Sequence, residues 1–256
     1  MTAVRTLTVG IAQYPARYND VPGALGWLEG VLEQQLGQAD LVLLPEAAFT
    51  GYVSPRGDFD LSPFAEPLDG LCARTCAALA RKYGLALAAP LIERDGGRCF
   101  NSLLLFNRDG ERIGHWRKRH PWVPETWAAP GDLGTPLVNL NGVNIAVAIC
   151  FDLHFIADEA PEVLSRADLL LFPSAWVEEE DSRPARLTEL ADCFGVAIAN
   201  ANWGAGRPRV PGQGHSMILG ADGRTVATTP PHSAAAWCQA TLTFDPVVDP
   251  DAGDTP

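Results

Sequence analysis

Two periodicities alternate along the chain. Short apolar runs, 6–13 and 40–45, read as strands, and segments at about 21–36 and 68–83 place apolar residues every third or fourth position, as helices do. A further strand, "LALAAPLI", leads into a hairpin whose turn is "NRDG". The same succession then returns: strands at 142–150 and 168–173, helices at 158–166 and 183–194, the strand "VAIANANW", and a hairpin with turn "GADG". Strands alternating with helices predict an α/β fold, and the hairpins make each sheet mixed.

The recurrence extends to residues. "ADLVLLPEAAF" (39–49) matches "ADLLLFPSAWV" (167–177), and "ARKYGLALAAP" (80–90) matches "ADCFGVAIANA" (191–201). "NSLLLFNRDGER" (101–112) matches "GHSMILGADGRT" (214–225), and the three pairs keep their order. Two pseudo-repeated halves in one domain are expected. If the helices of each half cover one sheet face, the opposite face needs a cover, and the other half's sheet supplies it. The predicted architecture is a four-layer α-β-β-α sandwich over 1–245. The acidic, Pro-rich tail 246–256 has no periodicity and is expected to be flexible or docked on a partner subunit.

The chain has 256 residues, 47% of them hydrophobic, enough to bury a full core. The net charge of −12 argues against nucleic-acid or anionic-membrane partners, which need basic surface. No apolar run reaches membrane-spanning length, and "MTAVRTLTVGIAQYP" reads as a first strand, not a signal peptide. Six scattered cysteines, with no Cys-x-x-Cys pair, suit free thiols and a cytoplasmic location. Cys72 and Cys76 share a helix face and are read as core-facing.

Sites in open α/β sheets gather at the carboxyl ends of strands. Glu46 follows "LVLLP", Lys118 follows "ERIGHWR", and Cys150 ends "IAVAI". Glu46 is costly to bury unpartnered, and its counterpart in the second half is Ser174, so the repeat does not require an acid there. Lys118 points away from Arg117 and Arg119 if the strand continues, leaving those two to a solvated basic run. Read singly, Glu125 is an exposed loop acid and Cys150 a small core hydrophobe. As a set, a thiol, an acid and an ammonium at strand ends make a candidate site.

These residues resemble the nitrilase superfamily of carbon–nitrogen hydrolases. "LVLLPEAAFTGY", "WRKRHPW" and "VAICFDLHF" are similar to that family's three motifs, in order, and the likeness spans roughly 5–243. The resemblance implies catalytic Glu46, Lys118 and Cys150. "HPWVPETWAAPGD" is similar to the aliphatic-amidase stretch carrying a second acid, here Glu125. It also implies an α-β-β-α fold, a homodimer or larger homo-oligomer, and a small-molecule amide substrate. Phe151-Asp152 after the cysteine, where nitrilases show Trp-Glu, leans towards amide or carbamoyl hydrolysis.

The expected reaction is amide hydrolysis through a thioester. Glu46 serves as base, and Lys118 with the Phe151 N–H receives the oxyanion. No metal or cofactor is needed. Trp127, Trp176 and Trp203 are candidate substrate-binding residues, and Arg207 and Arg209 could meet a substrate carboxylate. N-carbamoyl hydrolysis, acyl transfer to another nucleophile and a non-catalytic binding role are the competing expectations.

Overall fold

The computed structural model describes residues 4–245, so the expectation for the tail 246–256 lies outside the described residues. The first half comprises β1 (Arg5–Gln13), β2 (Pro15–Arg17), α1 (Val21–Gln34), β3 (Leu41–Leu43), α2 (Leu71–Tyr83), β4 (Ala86–Asp95), β5 (Arg98–Phe106) and β6 (Arg112–Arg117). The second comprises β7 (Val138–Leu140), β8 (Val143–Val147), α3 (Ile156–Glu159), α4 (Pro161–Leu164), β9 (Leu169–Ser174) and α5 (Arg183–Phe194). It continues through β10 (Ala197–Asn202), β11 (Gly204–Arg207), β12 (Met217–Leu219), β13 (Thr225–Thr228) and β14 (Ala236–Phe244).

The repeat seen in the residues is a repeat in topology. One sheet runs β14-β1-β3-β4-β5-β6 and the other β7-β8-β9-β10-β12-β13. In each, three parallel strands are flanked by one antiparallel strand on one side and an antiparallel hairpin on the other. The flanking strand β14 returns from the far end of the chain to pair with β1 along Arg5↔Phe244 to Gln13↔Ala236.

Alternation along the strands sorts the core into layers. Leu7, Val9 and Ile11 of β1 face the second sheet, in one cluster with Ile145, Leu171 and Ile198. Ala12, Val42 and Leu87 face the other way, against Leu28 and Leu32 of α1 and Cys76 and Leu79 of α2. Leu187 and Leu190 of α5 cover the far side of the second sheet. The result is the expected α-β-β-α sandwich, with Cys72 and Cys76 buried beneath α2. Two of the covering helices end alike: Gly84 (φ 66°) and Gly195 (φ 63°) close α2 and α5 in the left-handed region that glycine enters without strain.

Two expectations need correction. The single helix at 158–166 is two short turns, because Pro161 cannot donate to the preceding turn and Ala160 leaves helical geometry. Arg117 is not a solvated charge. It is buried, and it donates to Asp132 (2.7 Å), Asp95 (2.8 Å) and Glu93 (Nε, 3.0 Å) while its guanidinium lies over Phe100.

Glu93, fully buried, also accepts from Ser102 Oγ (2.6 Å) and pairs with His115 Nε2 (2.8 Å). Burial opposes its charge, but these donors outweigh burial and hold its pKa down at about 2. The carboxylate thus contributes stability above its ordinary pKa of 4.5, and the contribution is lost as pH falls towards 2. At its upper bound this is about 3 kcal/mol. In urea titrations, Glu93→Gln should be less stable than wild type near neutrality, with the gap closing below about pH 4. A gap independent of pH would contradict this.

Candidate active site

Lys118 follows β6 directly, and its N–H donates to Asn101 O (2.7 Å), so the pairing of β5 and β6 continues one residue past the strand. Alternation then divides two neighbouring pairs. Ser102 and Arg117 face Glu93, and Asn101 and Lys118 face the opposite side. On that side Lys118 Nζ donates to Glu46 Oε1 (2.7 Å) and Glu125 Oε2 (2.6 Å). Asn101 Nδ2 donates to the same two carboxylates, at 2.7 Å and 2.9 Å. One ammonium and one amide therefore clamp two acids, and all four residues are buried.

Each acid has a local anchor. Glu46 follows β3, and Ala47 beside it holds φ 50°, turning the chain sharply past the strand end. Its Oε2 accepts from the N–H of Ala175 (2.9 Å), just past β9 in the second half. The matching strand ends of the two halves thus meet at this carboxylate. Glu125 sits in a loop that returns to the sheet. Its Oε2 accepts from Trp122 N (2.6 Å), and Gly131 N donates to Lys118 O (2.8 Å). A side chain at Gly131 would meet the Arg117 carbonyl oxygen at 2.4 Å, so that closure requires glycine.

The strand expected to run to 150 stops at Val147, and Cys150 opens a short 3₁₀ turn with φ 48°. A positive φ on a non-glycine residue costs free energy and persists only where surroundings hold it. Asp152 does so here, accepting from Ile149 N (3.1 Å) and His120 N (2.8 Å). It ties the cysteine turn to the segment just after Lys118. The thiol faces Glu46 and lies near the Ala175 N–H.

The charges follow from burial and proximity. Burial, and then the facing Glu46 carboxylate, push the Cys150 thiol well above its ordinary pKa, so it rests protonated. Burial likewise raises Glu46, with Lys118 opposing. Burial works against the Lys118 ammonium, yet the facing Glu46 and Glu125 carboxylates hold its pKa well above the ordinary lysine value.

Cys150 lines a cavity of about 80 Å³ with Tyr52, Trp122, Phe151, His154 and Trp176. Of the expected tryptophans, Trp176 is on this wall. Trp203 stands behind it, buried, its Nε1 donating to Trp176 O (2.9 Å). Trp127 packs in the neighbouring aromatic cluster and does not line the cavity. Arg209 lines a different depression, and Arg207 lines neither. Sequence reasoning missed Asn101 and Asp152. For Asn101 a signal existed, an amide within the buried run "CFNSLLLF". Tyr52, Trp122 and His154 fall within the three quoted motifs, but that they line one cavity is visible only in the fold.

Comparison with known proteins agrees with the layering. The model of the carbon-nitrogen hydrolase family matches residues 8–247. A Pseudomonas protegens protein described as "Hydrolase in pqqF 5'region" is 31% identical, covering 89% of this chain and 80% of its own. A formamidase from Bradyrhizobium sp. is 29% identical over 78% of this chain and 59% of its own length. Among solved structures, a CN-hydrolase superfamily protein from Xanthomonas campestris with an arsenic adduct in its active site superposes with TM-score 0.79 at 22% identity, covering 93% of this chain and 90% of that one. The amidase from Nesterenkonia sp. AN1, in complex with acrylamide, gives 0.75 at 22% identity, covering 92% and 90%. The chain belongs to the carbon–nitrogen hydrolase family.

Proposed function

We propose that the protein hydrolyses the C–N bond of a small carboxamide through an acyl thioester on Cys150. The observation that carries this reading is the convergence of the Cys150 thiol, Glu46 and Lys118 beside a small cavity. A thiol that rests protonated needs a base, and the Glu46 carboxylate faces it. Glu46 takes the thiol proton as sulfur bonds to the carbonyl carbon. Negative charge moves to the carbonyl oxygen, where the Lys118 ammonium and the Phe151 N–H receive it. The Phe151 N–H has no acceptor among the described residues and is available for this task.

Collapse of the tetrahedral centre breaks the C–N bond, and the proton held by Glu46 goes to the departing nitrogen. Ammonia leaves. Water then adds to the thioester, giving its proton to Glu46, and expulsion of sulfur returns that proton to the thiol. Glu125 and Asn101 act on geometry: Glu125 fixes Lys118, and Asn101 fixes Glu46. Glu46 and Glu125 share one ammonium, so a proton moving between thiol and Glu46 moves within a compact, preorganised set.

Incubating the protein with short aliphatic amides, ω-amides, N-carbamoyl amino acids and nitriles, and assaying ammonia and carbon dioxide, tests the reading. Ammonia without carbon dioxide from an amide is expected. Equal yields of both from an N-carbamoyl compound alone would replace the proposal with carbamoyl hydrolysis.

A further inference from the structure

Resting on the amide reading of Cys150, we infer that the acyl group of the substrate ends in a protonated amine, seated between aromatic faces and against the Glu178 carboxylate. Beyond Cys150, the cavity presents five rings, those of Tyr52, Trp122, Phe151, His154 and Trp176, and one carboxylate, Glu178. The rings form two near-parallel pairs: Tyr52 with Trp122 (21° between planes, centroids 6.4 Å apart) and His154 with Trp176 (18°, 5.9 Å). Aromatic faces attract cations. Tyr52 already does so, with the Lys118 ammonium 5.8 Å from its centroid.

Glu178 is built in, not loose. Its Oε2 accepts from Ser182 Oγ (2.5 Å), Trp176 Nε1 (3.1 Å) and Ser182 N (3.3 Å). These bonds outweigh partial burial and hold the carboxyl below the usual range, so it is charged at neutral pH. Its Oε1 has no hydrogen-bond partner among the described residues. Arg186 is the nearest cation on α5; it bonds Ser182 Oγ (3.4 Å) and makes no ion pair with Glu178 among the described residues.

No lysine or arginine lines the cavity. His154 is its one basic side chain, and burial together with Arg186 lowers its pKa, leaving it neutral at physiological pH. A carboxylate-bearing acyl group would therefore meet Glu178 with no cation on the cavity wall to pair with, whereas an ammonium finds both a carboxylate oxygen and ring faces. At 10–15 Å³ for each water-sized group, the cavity of about 80 Å³ holds roughly six such groups, which suits a short chain.

Three probes of similar length decide the matter: 4-aminobutanamide, pentanamide and succinamate. In wild type, kcat/KM for 4-aminobutanamide should exceed that for pentanamide by about tenfold, with succinamate lowest. Glu178→Gln should bring the ratio of the first two close to one, while Glu179→Gln, at an exposed neighbour outside the cavity, should retain it. Calorimetric binding to the Cys150→Ala protein gives the same ranking without turnover. If no amide is hydrolysed but 4-aminobutanamide still binds preferentially, the amide chemistry fails and the cation site stands. The inference is overturned if pentanamide or succinamate binds as well as 4-aminobutanamide, if 4-aminobutanamide does not bind at millimolar concentration, or if Glu178→Gln leaves the ratio unchanged.

Discussion

Cys150→Ala should lower ammonia release from an accepted amide by at least about 10⁴-fold, because it removes the proposed nucleophile. The fold should survive. The sulfur lies at the rim of a cavity, and the turn that carries it is held by backbone bonds to Asp152, which alanine does not disturb. The melting temperature is expected to stay within about 4 °C of wild type. Turnover at the wild-type rate in a folded Cys150→Ala protein would remove the nucleophile from the account. A large loss of stability would instead show that Cys150, which is buried, serves mainly in packing, as its residue type alone suggests.

Lys118→Met should lose both activity and stability, for one electrostatic reason. The ammonium donates to Glu46 and Glu125 at 2.7 Å and 2.6 Å and is wholly buried. Without it the oxyanion loses a charged donor, a loss of about 10³-fold in kcat or more. Breaking one partner of a buried ion pair also destabilises by about 3–5 kcal/mol, because the remaining charge is uncompensated. The pH dependence has a definite sign. Burial already raises Glu46, and Lys118 opposes that rise, so in the variant the folded-state pKa climbs further. A carboxyl raised on folding favours the native state at low pH and disfavours it as pH rises through the folded value. The melting deficit of Lys118→Met should thus be larger near pH 8 than near pH 5. A deficit that grows on acidification would show that Glu46 is not the group left unpaired.

Much of this site was readable before the fold. Glu46 and Cys150 each follow an apolar run, Lys118 follows the expected strand "ERIGHWR", and strand ends are where an α/β sheet exposes reactive groups. The repeat was readable because matching residues, such as the glycines closing α2 and α5, do the same job in both halves. Other features depend on distant partners that periodicity does not reveal. Arg117 looked solvated because Glu93, Asp95 and Asp132, which neutralise it, lie 15–24 positions away. Cys150 looked like the end of a strand because nothing local marks a positive φ in a residue other than glycine or asparagine. The constraint comes from Asp152 reaching back to Ile149 and across to His120. Trp203 looked like a pocket wall, but its indole N–H is taken up by the carbonyl of Trp176, which stands in front of it.

The paired strand ends also explain why the Glu46 carboxylate belongs to one half and its backbone donor to the other. Glu46 and Ser174 occupy equivalent places in the repeat, yet only the first is an acid. The second half instead offers the Ala175 N–H to Glu46 Oε2, so the pseudo-symmetric contact is preserved while the chemistry is one-sided. Ser174 turns to Asn202 Oδ1 (3.0 Å) within its own half.

The most direct test of the central claim is mass analysis of the protein quenched in acid during turnover of an amide, with and without hydroxylamine. The account predicts an acyl group, the amide less ammonia, on the peptide that contains Cys150, and diversion of product to the hydroxamate as hydroxylamine is added. Continued release of ammonia with the Cys150 peptide unmodified at every quench time, and no hydroxamate formed, would contradict it.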